Sequence, residues 1–279
     1  MTHKLSIVVS NTRYDIWLQQ IKILTGNNYF QIEKIMQTMC DFFNKLPLSE
    51  YSIENDINSY LLFDDEKINL SDFDFFNITE NFSLETELKL NTKSIFLLYL
   101  NALLDDVEYN ETFQTIDILL QTLIDEFTVD FNIDDFSLNI DTLFNKKELI
   151  KLCSIKLLKN GLEINDYDLT SKDKIILQLN ILKKYSEHTK KNLMVLLRCH
   201  ILTSDIMQIL NDISGYIIVV PDKTTEVLSN FYFIDNDMYL DIMDENMLFN
   251  ICENYTSYQS IETMKEILIR DHLEKIRIT

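Results

Sequence analysis

Twelve of the chain's 25 Lys and Arg residues fall between Lys146 and Arg198, namely Lys146, Lys147, Lys151, Lys156, Lys159, Lys172, Lys174, Lys183, Lys184, Lys190, Lys191 and Arg198. Six Asp or Glu share that segment, so it carries a formal +6, while the other residues hold 13 basic against 39 acidic side chains. Such a run offers sequence-independent attraction for a phosphate backbone, in a protein whose acidic remainder repels one. The plain alternative is a solvated lysine-rich face, since charge runs are commonly that. The whole chain has a net charge of −20, which taken alone argues against nucleic acid. The uneven distribution reopens the question.

Nucleotide chemistry is the second possibility. LSIVVSNTRYDIWLQQI, Leu5 to Ile21, reads as a short apolar strand, a polar turn and the start of a helix, the opening of many nucleotide-binding α/β domains. A phosphate-cradling loop at that turn needs glycines, so that several backbone N–H groups converge on the anion, and a Lys followed by Ser or Thr. SNTRYD, Ser10 to Asp15, supplies none of these. Gly26, Gly161 and Gly215 are the only glycines, too scattered for a dinucleotide fingerprint, a P-loop or a nucleophile elbow. The apolar run NLMVLL, Asn192 to Leu197, leads into Arg198, Cys199 and His200, where a P-loop triphosphatase has an Asp for magnesium. The expectation is a nucleotide-fold scaffold that binds no nucleotide.

Thiol chemistry is equally poorly served. Cys40, Cys153, Cys199 and Cys252 are far apart, with no C-x-x-C pair and no His at zinc-finger spacing. Cys199 and His200 are neighbours along a strand, so they point to opposite faces and are badly placed to share a proton. Buried thiols of a reducing compartment are expected. The longest apolar stretches, such as Ile95 to Leu104, are about half a bilayer span, and MTHKLS lacks the apolar region of a signal peptide, so a cytoplasmic protein without membrane contact is expected.

The elements that would position these groups alternate. Asn28 to Leu46 has helical apolar spacing and is stopped by Pro47, and Ile57 to Phe63 reads as a strand. Thr92 to Leu104 and Glu111 to Phe127 are two periodic helices that suit an antiparallel hairpin. TVDFNIDDFSLNI, Thr128 to Ile140, alternates like a half-buried strand, and Lys146 to Leu158 reads as a short helix and strand. Ser171 to Glu187 is a helix with lysines on one side. Asn192 to His200 and Gly215 to Pro221 are apolar runs joined by a helix from Thr203 to Ser214, a β-α-β unit of a parallel sheet.

That order of elements resembles the Csn-two adaptation proteins of type II-A CRISPR systems. The likeness is clearest from Lys183 to Ile242, where a lysine pair precedes an apolar strand, a Leu-Thr loop, a helix, a second apolar strand and an aspartate-rich FIDND. FTVDFNIDDF, Phe127 to Phe136, with ELIK, Glu148 to Lys151, looks like the family's acidic strand and following helix. The similarity covers most of Leu5 to Ile242. The tail from Asp244 to Thr279 and the stretch from Asn160 to Thr170 look like additions, as in a longer, divergent subgroup.

The resemblance implies an α/β fold: a P-loop-NTPase-like parallel-sheet head without Walker motifs, residues 1–90 and 127–243, with a helical leg, 91–126, and a helical extension, 244–279. It further implies a non-enzymatic protein of spacer acquisition that forms a homotetrameric ring. Such a ring takes double-stranded DNA ends through a lysine-lined hole, is stabilised by calcium, and works with the integrase proteins and the RNA-guided effector nuclease. Calcium prefers several oxygen ligands, and Glu126, Asp130, Asp134 and Asp135 cluster about the acidic strand, Asp130 and Asp134 on one face by the period of two. The same carboxylates could instead serve a metal-dependent nuclease, or simply face water. A protein-interaction scaffold with a decayed nucleotide site is the other alternative.

Overall fold

The computed structural model describes residues 2–9, 12–44, 59–91, 94–129, 132–133, 136–137, 149–150, 154–226, 229–236, 238–254 and 260–276. Its strands are β1 His3–Val9, β2 Thr12–Leu18, β3 Ile21–Thr25, β4 Tyr60–Phe63, β5 Glu66–Lys67, β6 Phe73–Ile78, β7 Asn132–Ile133, β8 Phe136–Ser137, β9 Leu158–Lys159, β10 Leu162–Glu163, β11 Asn192–Leu202, β12 Tyr216–Thr224, β13 Phe231–Ile234 and β14 Tyr239–Asp241. The helices are α1 Tyr29–Asn44, α2 Leu84–Leu88, α3 Ile95–Leu104, α4 Asn110–Val129, α5 Ser171–Ser186, α6 Ser204–Asp212, α7 Glu245–Asn254 and α8 Ile261–Ile276. They fall into two units, one of Met1–Phe82, Ser171–Ser186 and Lys190–Thr279, the other of Ser83–Thr170 with Glu187–Thr189.

The first unit is built on a six-stranded sheet in the order β14-β13-β3-β12-β11-β6, parallel throughout except for β14 at its edge. The apolar runs of β11 and β12 are what such a sheet requires, since strands covered on both faces cannot alternate with polar residues. Leu193 to Leu197 and Ile217 to Val219 are accordingly buried. Met194 pairs with Tyr216 and Leu202 with Thr224, which makes β11-α6-β12 the expected parallel unit. β12 begins so close to β11 that a Cβ on Gly215 would lie 2.7 Å from that of Leu193. Helix α5 buries Ile175, Leu179 and Leu182, one turn apart along one face.

A second sheet, β2-β1-β4-β5, is antiparallel. Here the opening segment departs from the sequence reading: Thr12 to Leu18 is a strand paired back on β1, from Val9 opposite Thr12 to His3 opposite Leu18. The reason lies in its period. Tyr14, Ile16 and Leu18 are buried and Arg13 and Asp15 are not, an alternation of two that no helix face satisfies. The strand-to-helix step of the fold is instead β3 to α1, across Gly26, Asn27 and Asn28.

The strand expected over Thr128 to Ile140 is not continuous either. Helix α4 runs through Val129, and Asn132–Ile133 pairs antiparallel with Phe136–Ser137. In the second unit Asp166 binds the start of α2 through the Leu84 and Glu85 N–H groups, and the buried Ser94 caps α3. The helix and strand expected within Lys146 to Leu158 lie largely outside the described residues. Among those described, no helix is long and apolar enough to cross a membrane.

One polar contact is sealed into the first unit. Lys22 of β3 and Asp241 of β14 are both fully buried, with Nζ 2.6 Å from Oδ1. The same carboxylate accepts the Trp17 N–H of β2 at 2.7 Å and the Met243 N–H at 2.8 Å. Burial pushes the Asp241 pKa up and the Lys22 pKa down, and their mutual contact, with the two N–H groups on Asp241, opposes both shifts. Replacing Lys22 with Met leaves a buried carboxylate without its counter-ion and is expected to cost about 3–5 kcal/mol. Adding Asp241→Leu should return only part of that loss, because two backbone N–H groups lose their acceptor. Urea unfolding of the two variants measures this, and a loss below about 1 kcal/mol for Lys22→Met would contradict the assignment.

Candidate functional site

The basic segment is divided by the fold. Lys156 and Lys159 belong to the second unit, whereas Lys172, Lys174, Lys183 and Lys184 on α5, Lys190 and Lys191 before β11, and Arg198 within β11 belong to the first. Lys146, Lys147 and Lys151 lie outside the described residues. Lys183 and Lys184 occupy the last turn of α5, where the helix dipole favours cations, and Lys191 directly precedes β11.

Carboxylates that sequence reading left unconnected meet these cations. Lys191 is 2.9 Å from Asp74, Lys183 is 2.6 Å from Asp212, and Lys172 is 2.5 Å from Asp205. Arg198 pairs with Glu33 at 2.5 Å, and in the second unit Lys156 pairs with Glu163 at 2.5 Å. The Lys172 ammonium and the Thr203 hydroxyl hold Asp205 down at about 2, so that pair persists through the usual carboxylate range and is lost only as pH falls toward 2. Asp74 also accepts the Tyr185 hydroxyl, at 2.6 Å. Asp74 is largely buried and Lys183 half-buried, while the other partners are well exposed. Exposed pairs of this kind are worth about 0–1 kcal/mol, so a phosphate can replace the carboxylate at little cost.

The acidic candidates are placed less fully. Glu126 is exposed on α4, while Asp130, Asp134 and Asp135 lie outside the described residues. Among the described residues no group of three or more His, Cys, Asp or Glu side chains stands ready to hold a metal.

At the carboxyl end of β3, where parallel α/β sheets commonly take their ligands, the loop is only three residues long. Gly26 has φ +147°, and a Cβ there would fall 2.0 Å from the Ile234 carbonyl oxygen. Two of the loop's three backbone donors are already engaged: Asn28 N–H donates to Ile234 O at 3.1 Å and Asn27 N–H to Asp235 Oδ1 at 2.9 Å. A carboxylate thus stands where a nucleotide's phosphate would need those N–H groups. Sequence reading placed the loop one hairpin too early and missed Asp235, which is the first aspartate of FIDND.

Cys199 is buried, and burial, helped by Glu80 and Asp222, pushes its thiol up to about 12. His200 is exposed on the other face, its ring 2.9 Å from Asp222 and its N–H on Glu80. The thiolate that nucleophilic chemistry needs is therefore suppressed, and its neighbour faces away.

No protein-family model and no curated protein matches the chain. In fold it is similar to Stu0660 of Streptococcus thermophilus, known from its crystal structure, with a TM-score of 0.65 at 14% identity over 97% of this chain and 86% of that one. The likeness is one of fold, a mixed α/β architecture around a largely parallel sheet.

Titration of magnesium ATP into the protein is expected to give no binding heat and no release of phosphate, because the β3-α1 loop is short and faced by Asp235. Calorimetry showing micromolar affinity would overturn this reading of the loop.

Proposed function

We propose that the chain is a CRISPR-associated protein of spacer acquisition that binds double-stranded DNA at free ends, without catalysing a reaction, as a homotetrameric ring. The observation that carries the reading is the agreement of two likenesses. The order of elements from Leu5 to Ile242 resembles the Csn-two proteins, and the fold is similar over 97% of the chain to that of Stu0660. The second supports the CRISPR-associated part of the reading. In this reading α3 and α4 supply the helical leg, and α7 and α8 are an extension.

Electrostatics explains why assembly is needed. A protomer of net charge −20 whose surface cations are largely paired would hold DNA weakly on its own. Four copies around one duplex multiply a modest basic face without new contacts. Calcium, held by Glu126 and by Asp130, Asp134 and Asp135, would also neutralise part of the acidic surface. The integrase proteins and the RNA-guided effector nuclease are the proposed partners. The carboxylates on Lys172, Lys183 and Lys191 favour a second reading, a protein-interaction scaffold that ignores DNA.

Threading separates the two. Anisotropy of a labelled linear duplex should report binding with little sequence preference that falls steeply with salt, and charge reversal of Lys183, Lys184, Lys190 and Lys191 should weaken it without unfolding the protein. Blocking both ends with bulky groups, or closing the duplex into a circle, should sharply reduce loading. Equal binding of open, blocked and circular duplex contradicts the ring, and no binding at all favours the scaffold.

Calcium has its own readout. Chelation should lower the melting temperature, since an ion bound only to the folded state stabilises it by mass action. The double replacement Asp130→Asn, Asp134→Asn should abolish that shift, and an undiminished response would place the ion elsewhere.

A further inference from the structure

The amino ends of β11 and β12 open onto a polar groove of about 560 Å³ within the first unit. Lys191, Asn192, Asn211, Asp212, His3 and Tyr216 are among its walls. Two of the ion pairs described above each place one partner on its wall: Asp212, bound by Lys183, and Lys191, bound by Asp74. Each pair joins a cation of the basic segment to an aspartate from outside it. Lys191 lines the groove itself, and Lys183, at the end of α5, stands 2.6 Å from the Asp212 carboxylate on its wall.

We propose that this groove takes the sugar-phosphate backbone of a nucleic-acid strand, with Lys183 and Lys191 as its phosphate-binding cations, and that Asp212 and Asp74 are internal competitors which a phosphate must displace. The proposal rests on the DNA-binding reading and adds a location and a restraint to it. The chemistry fits a backbone rather than a base. Two ammonium groups supply point charges, and the Asn192 and Asn211 amides supply uncharged donors suited to phosphate oxygens. With both aspartates in place the groove is nearly neutral, so a single protomer holds DNA weakly and several must act together. Asp212 is the freer competitor, its side chain 48% exposed, while Asp74, at 16%, is also tied to Tyr185.

The test is anisotropy of a fluorescein-labelled linear duplex of mixed sequence across a potassium chloride series, with the full-length protein. Asp212→Asn should tighten binding by up to about fivefold at low salt, the most that an exposed ion pair withholds. Lys183→Met with Lys191→Met should weaken binding and reduce the salt slope by about one per lysine. Glu85→Gln removes the same charge from an exposed pair with Lys89, 2.9 Å apart on α2, and should leave affinity within about twofold. Thermal melts establish that each variant is folded. If wild type binds and Asp212→Asn leaves affinity unchanged or lowers it, or if Glu85→Gln tightens binding equally, the groove proposal fails while DNA binding stands. If folded wild type binds no duplex at any salt, both fail together.

Discussion

Lys22 and Asp241 meet where no water reaches either, and the architecture of the first unit depends on that contact. β3 lies inside the parallel sheet, β14 is its antiparallel edge, and β2 belongs to the other sheet. One carboxylate binds the ammonium of the first and the backbone of the third. Desolvation opposes both charges, so the contact contributes less to net stability than its short distance suggests. Its effect is on register. A shift of β14 by one residue would leave a buried lysine with no partner, and a shift of β2 would leave the Trp17 N–H without its acceptor; those penalties select one register.

Two strands of the parallel core were legible in the sequence because burial on both faces writes a nearly continuous apolar run, as in Asn192 to His200 and Gly215 to Pro221, whereas β3, β6 and β13 were not. The opening hairpin was misread for a physical reason: the polar stretch from Ser10 to Asp15 suits a helix start as well as a strand pair, and only the alternation of Tyr14, Ile16 and Leu18 distinguishes them. The Lys22 contact could not be read at all. Its partner lies 219 positions away, and a lysine in a short strand looks like an edge residue until the sheet order is known.

The same separation in sequence hid the state of the basic segment. Counting charge from Lys146 to Arg198 gives a positive stretch, yet folding brings Asp74 to Lys191 across 117 positions, and Asp205, Asp212 and Glu33 to three more of its cations. Local charge in a chain is a statement about the unfolded polymer, whereas a ligand meets the folded surface. The positive stretch remains, but as a set of weak pairs that a polyanion can open. In the proposed function such a surface would discriminate by charge density: a duplex with many phosphates would displace several carboxylates together, whereas a single small anion would gain too little from displacing one.

An acidic protein that binds DNA through paired cations must gather several copies on one duplex, and this is the central claim. Mass photometry of the full chain with calcium and an open-ended linear duplex tests it directly. The account predicts particles of four chains per duplex that revert to smaller species as salt rises. Particles of one chain per duplex, or a chain whose mass ignores DNA and calcium alike, would contradict it.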